Sequence, residues 1–88
     1  MNIENRATKV MLKNMPAYMA EELIDLYKIQ TPYKEILYVS CVLGYQQFKA
    51  MDYLSSKHQI NLGFRTYKRK LAEALEKFRI AHIYYKEP

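Results

Sequence analysis

Tyr67, Leu71, Ala74, Leu75 and Phe78 recur at intervals of three and four residues, and Ala81 or His82 extends the series. That spacing puts one apolar stripe along a helix from about Phe64 to Tyr84, whereas a strand would need alternation that is absent here. It reads as the longest helix of an 88-residue chain, so the remaining elements must pack against its stripe. Two Gly and three Pro are too few for sheets joined by tight turns and too few for disorder. The fold expected is all-α, a bundle of four to five helices forming a single domain over residues 1–88. Half the residues are apolar. A domain of this size still buries only about two-thirds of its unfolded surface, so dimerisation would help it.

The other helices are read from stops and stripes. A short first helix is expected over residues 3–13, with Ile3, Ala7, Val10 and Met11 on its inner side. Asn14-Met15-Pro16 signals a second start, and Met19, Leu23, Leu26 and Tyr27 make its stripe as far as about Ile29. Thr31-Pro32 opens a third helix, Thr31 as cap and Pro32 as first helical residue. Ile36 to Leu43 are apolar almost all round, which predicts a central helix covered on several sides and stopped by Gly44. Tyr45 to about Ser56 gives a further helix, with Phe48, Met51 and Leu54 or Ser55 inward. Residues 57–63 are expected to be a loop.

Charge is concentrated in one place. Residues 53–72 contain Lys57, Arg65, Lys68, Arg69 and Lys70 with no Asp or Glu, and these five cations equal the formal net charge of +5. They surround the entrance of the last helix. A short helix, a connection and a longer helix with basic first turns outline a helix-turn-helix-like unit over about residues 45–81. Around the apolar stripe, Arg65, Lys68, Arg69 and Ala72 fall outward, with Arg65 and Arg69 on one face. Arg binds guanine bidentately and Lys neutralises phosphate. The competing reading is an ordinary solvated basic face. Cations at a helix N-terminus oppose the macrodipole by a few tenths to ~1 kcal/mol each, a strain that a phosphate partner would relieve.

The stretch Thr66-Tyr67-Lys68-Arg69-Lys70-Leu71-Ala72-Glu73-Ala74-Leu75-Glu76-Lys77-Phe78 resembles the recognition helix of the promoter-reading domain of sigma factors. It is similar also to that of their phage relatives, the ArpU and RinA families of late-gene regulators. Upstream, Pro32-Tyr33-Lys34-Glu35-Ile36-Leu37 resembles the helix preceding the unit in such domains, so the likeness spans about residues 31–79. The connection before Phe64 is several residues longer than the tight turn those families use. The resemblance implies a sequence-specific transcription regulator, encoded by a phage or mobile element, that binds double-stranded DNA. It makes Arg65, Thr66, Lys68, Arg69 and Lys70 the DNA-facing group, with Lys57 and His58 as backbone contacts from the loop. Tyr45 and Gln46 become candidate phosphate contacts, and RNA polymerase a candidate partner.

Ile80, Ile83, Tyr84 and Tyr85 make a sticky end to the last helix. Packing against the first helix and a homodimer or partner surface are equal readings of it, since Tyr is enriched at interface centres. A small phage-type inhibitor or adaptor that binds protein without DNA is therefore the alternative function.

The chain shows no HExxH, CxxC or Gly-rich phosphate loop, so neither an enzyme nor a metal or other cofactor is expected. Cys41 lies alone in an apolar run and reads as a buried, inert thiol. That run, 36–43, falls well short of the ~20 residues that span a bilayer, and residues 1–5 lack the apolar segment of a signal peptide. A cytoplasmic protein with no membrane partner is expected.

Overall fold

The computed structural model describes residues 2–86. Five helices and no strand occur among them: α1 (Ile3–Asn14), α2 (Ala17–Leu26), α3 (Tyr33–Leu37), α4 (Gln47–His58) and α5 (Phe64–Lys86). The architecture is thus all-α, as the periodicity implies. No helix among the described residues is long and apolar enough to cross a membrane.

The stripe of α5 is the spine. Tyr67, Leu71, Ala74, Leu75 and Phe78 are all buried, with Ala81 and His82 half-buried beyond them. α3 makes the most extensive pairing with α5, and α1 lies along another flank. α3 continues without a break into a π-helical turn, Tyr38–Val42, closed by Leu43 N–H on Tyr38 O at 2.9 Å. Ile36, Leu37, Val39, Ser40 and Cys41 are buried together, which is the central helix expected from its all-round apolarity. Gly44 ends it with a φ of +71°, in the left-handed region that glycine enters at least cost. Thr31 does not cap α3. Its hydroxyl instead bonds the Glu35 carboxylate, and Pro32 stands one position before the helix rather than inside it.

Three faces differ from the sequence expectation. In α1, Ile3 and Val10 are exposed, and Asn5, Thr8 and Leu12 point inward. Each of the two polar residues sends one donor to a backbone carbonyl, while the buried Asn5 Oδ1 has no partner. Asn5 Nδ2 donates to Ala72 O on α5 at 3.3 Å, and the Thr8 hydroxyl donates to Glu4 O at 2.9 Å. An Arg79–Glu4 ion pair at 2.9 Å ties the same two helices. In α2, Ala20 and Ile24 are buried, whereas Met19 and Leu26 are exposed. This helix starts after Pro16 rather than at Asn14, and it stops at Leu26, before a left-handed Lys28 (φ 55°). In α4, Ala50 and Leu54 take the inward positions, so Phe48 and Ser55 are exposed.

α4 runs on to His58, and a left-handed Gln59 (φ 56°) ends it. Only residues 59–63 then remain as connection. They do not turn tightly into α5. Ser55 Oγ donates to Asn61 Oδ1, and Met51, Asp52 and Ser55 share a surface depression with Asn61, Leu62 and Gly63. Gln47 Nε2, in the first turn of α4, donates to Phe64 O at 3.4 Å. The connection is therefore a strap lying back along α4, with Ile60 and Leu62 packed on the core. It delivers α5 to the N-terminal end of α4. α4 itself packs chiefly on α3 and the π-turn.

Candidate nucleic-acid interface

The strap brings two helix N-termini together. Gln46 precedes α4 without a side-chain capping bond, and Gly63, whose carbonyl accepts Tyr67 N–H at 2.8 Å, has no side chain to offer α5. The first amides of a helix have no intrahelical partner, and its dipole is positive there. Cations nonetheless gather at this end. Lys68 Nζ sits 5.0 Å from the centre of the Phe64 ring, Lys49 Nζ sits 4.2 Å from that of Tyr45, and Arg65 is exposed beside Phe64. Aromatic faces attract ammonium groups by about 0.5–1 kcal/mol at exposed sites, enough to orient these side chains without neutralising them.

A groove of about 280 Å³ opens between α1, the segment before α4 and the start of α5. Lys9, Tyr45, Gln46, Gln47 and Lys68 line it above the buried Ser40, Tyr67 and Leu71, and no Asp or Glu is among its lining residues. Burial pushes the Tyr67 hydroxyl pKa up, against the opposing pull of a hydrogen bond with Ser40. Below it, burial pushes the Cys41 thiol up to about 11, although the charges of Lys9 and Lys13 pull it down. The thiol is therefore protonated and buried, unlike a reactive cysteine. The groove as a whole offers positive charge, amide and hydroxyl donors, and a non-acidic lining. That is the chemistry of a phosphate site.

The residues singled out in the sequence divide between several surfaces. Lys68, Tyr45 and Gln46 line the groove, Arg65 is exposed one turn before Lys68 on α5, and Thr66 is half-buried. Arg69 projects outward, but its Nε lies 3.8 Å from Glu73 Oε1, and Glu73 Oε2 accepts the Tyr33 hydroxyl at 2.8 Å. Lys70 lies on the opposite flank of α5, its Nζ 5.3 Å from the Tyr33 ring, with Lys77 at 5.1 Å from the same ring. Lys57 and His58 close α4 at its other end. His58 lines a separate groove of about 490 Å³ with Glu21, Asp25, Lys34, Glu35 and Tyr38, which is a mainly acidic setting.

Lys9, Gln47 and Lys49 join the basic end without having been anticipated. Lys9 comes from a helix remote in sequence and carries no local signal. Lys49 had one, its four-residue spacing from Tyr45. The sticky end of α5 is exposed at Ile80, Ile83, Tyr84 and Tyr85. The end of α2 is one neighbour of this surface: Tyr85 stacks on Tyr27 at 4.9 Å, and its hydroxyl reaches Leu26 O at 3.5 Å.

Set against known proteins, the chain matches no family model, no curated sequence and no solved structure. The geometry of the two ends of the molecule therefore carries the functional argument.

Proposed function

We propose that the protein is a small DNA-binding protein, acting as a transcription regulator of the phage or mobile-element kind, that grips the phosphate backbone with its basic end. The supporting observation is the acid-free groove that Lys9 and Lys68 line together with Tyr45, Gln46 and Gln47, with Lys49 over the Tyr45 ring and Arg65 exposed one turn before Lys68. Lys9, Lys49 and Lys68 take phosphates there, and the side chains of Gln46 and Gln47 add hydrogen bonds. Arg65 stands on the outward face of the first turn of α5, where it is free to reach a base edge. Arg69 joins it once its pair with Glu73 opens, a small demand because exposed pairs are worth about 0–1 kcal/mol. Lys57, His58 and Lys70 contribute to the general field and not to the grip.

A protein partner is the second reading, favoured by the exposed Ile83 and Tyr84 at the far end of α5. A second copy of the chain or RNA polymerase would dock there while DNA occupies the basic end; an adaptor would use that surface alone. Salt separates the two. Anisotropy titration of duplex from the gene's own upstream region should show affinity falling with a log–log slope of about −3 for three phosphate contacts. A slope near zero, or no binding at low salt, would remove DNA and leave the adaptor.

A further inference from the structure

Phe48 and Phe64 lie where large apolar rings are least expected. Phe48 is 69% exposed and Phe64 44% exposed, although each belongs to the first turn of a helix with a well-buried face elsewhere. The strap brings the two rings to a centroid separation of 5.7 Å with a 36° tilt. Cations surround them: Lys68 over Phe64, Lys49 next in sequence to Phe48, and Arg65 next to Phe64. The surface depression beside Phe48, formed by residues 44–49, contains no carboxylate. The one acid of α4, Asp52, sits one turn on from Phe48 along the same helix face and lines a depression with Gly63, so a single carboxylate borders the rings against three cations.

We propose that Phe48 and Phe64 form a platform on which an unpaired base of a DNA strand stacks, while Lys49, Arg65 and Lys68 hold the phosphates on either side of it. This rests on the DNA-binding reading above and adds the form of DNA that is preferred. Exposed rings alone would suit any apolar partner. Rings set among cations that outnumber the one nearby acid suit a ligand that alternates flat π-faces with negative charge, and a single strand of nucleic acid is that ligand. Magnitudes favour an unpaired base over one in a duplex. Stacking one base on an aromatic side chain is worth roughly five- to 150-fold in affinity. Unstacking a duplex step takes back a comparable amount, so the gain survives in full only where the base is already free.

The test compares a blunt duplex with the same duplex carrying single-stranded thymidine tails, by anisotropy at two salt concentrations. Wild type should bind the tailed probe about tenfold more tightly. The F48A/F64A double variant should bind both probes equally, its blunt-duplex affinity falling no more than about fivefold through loss of the Lys68–Phe64 contact and its salt slope retained. Both rings are exposed, so its helical circular dichroism should match wild type. F48L/F64L keeps apolar bulk without a flat face and should lose the preference as well. A wild type indifferent to tails, or a leucine variant that keeps the preference, overturns the platform while leaving DNA binding intact. Failure of wild type to bind either probe at low salt overturns the DNA reading itself, and the platform with it.

Discussion

The two ends of α4 are separated by about 16 Å of helix, and they face opposite electrostatic worlds. At the first turn, Gln47 and Lys49 border an acid-free groove with Lys9 and Lys68. At the last turn, His58 borders a groove with Glu21, Asp25 and Glu35, where Lys34 already pairs with Asp25 at 3.3 Å. In sequence Lys57 stands only eight positions before Arg65, and the two belong to one run of cations. The strap separates them by carrying the chain back along α4 before α5 begins. A charge cluster counted along a chain becomes a charge cluster in space only if the connection between its members turns; here the connection retraces. The basic end is rebuilt instead from α1, the start of α4 and the start of α5.

Both ends rest on one core, so the largest effect expected is one that cannot tell them apart. Phe78 is fully buried and meets the Tyr27 ring at 5.1 Å and the His82 ring at 5.8 Å. Phe78→Ala should lower unfolding free energy by about 3–5 kcal/mol, read by urea denaturation. For so small a domain, that is most of the stability to be expected. A loss below about 1 kcal/mol would mean that the core does not unite the two ends.

Charge reversal then separates them. Lys9→Glu with Lys68→Glu should weaken duplex binding by about 100-fold, since each change removes a phosphate contact and adds a repulsion. Lys57→Glu with His58→Glu makes the same formal change to the Lys and a smaller one to the His, and it should stay within about threefold at moderate salt, where screening acts over about 10 Å. Equal losses from the two pairs would dissolve the distinction between the ends.

Much of this arrangement was legible in the chain, and the illegible parts share a cause. The stripe of α5, the central helix and the Gly44 stop follow from periodicity and from one residue lacking a Cβ, both local properties. The inner face of α1 does not. Asn5 and Thr8 are buried because the Ala72 and Glu4 carbonyls accept from them, and Ala72 is 67 residues away from Asn5. Phe48 is exposed because Ala50 and Leu54 already fill the inward positions, allowing α4 a closer approach than a ring would. Nothing in residues 59–63 distinguishes a strap that retraces from a loop that turns. The decision rests on Ser55 meeting Asn61 and on Ile60 and Leu62 finding the core, which are tertiary facts. The basic groove inherits that limit, because Lys9 and Lys68 meet only after α1 has docked.

High pH should act on the basic end from below. Burial raises Cys41 from 9.0 to about 11 and also raises Tyr67, and both lie beneath the groove. The folded state holds these protons more tightly than the unfolded chain does. For Cys41 the stabilisation is therefore complete below about pH 9 and is lost as pH rises through about 11, by an amount on the order of 2 kcal/mol, and the raised Tyr67 adds a loss of the same sign at high pH. Melting temperature followed from pH 7 to 11 should fall over that window, and Cys41→Ser should flatten part of the fall. A melting temperature constant to pH 11 would contradict the burial assigned to these groups.

The smallest effect is one of sign. Arg65 occupies the first turn of α5, where a cation opposes the helix dipole, whereas Lys57 occupies the last turn of α4, where a cation is favoured. Both side chains are exposed, so neutralisation changes little else. Arg65→Gln should therefore raise stability and Lys57→Gln should lower it, each by about 0.3–1 kcal/mol at low salt. In a domain of this size those changes amount to shifts of a few degrees in Tm, in opposite directions, and both should shrink as salt is added. Affinity for DNA should move against stability at Arg65 and hardly at all at Lys57. A cation kept at an unfavourable helix end is explained by the phosphate that it meets there. If Arg65→Gln stabilised the protein and left DNA binding untouched, the charge at that end would have no partner to account for it.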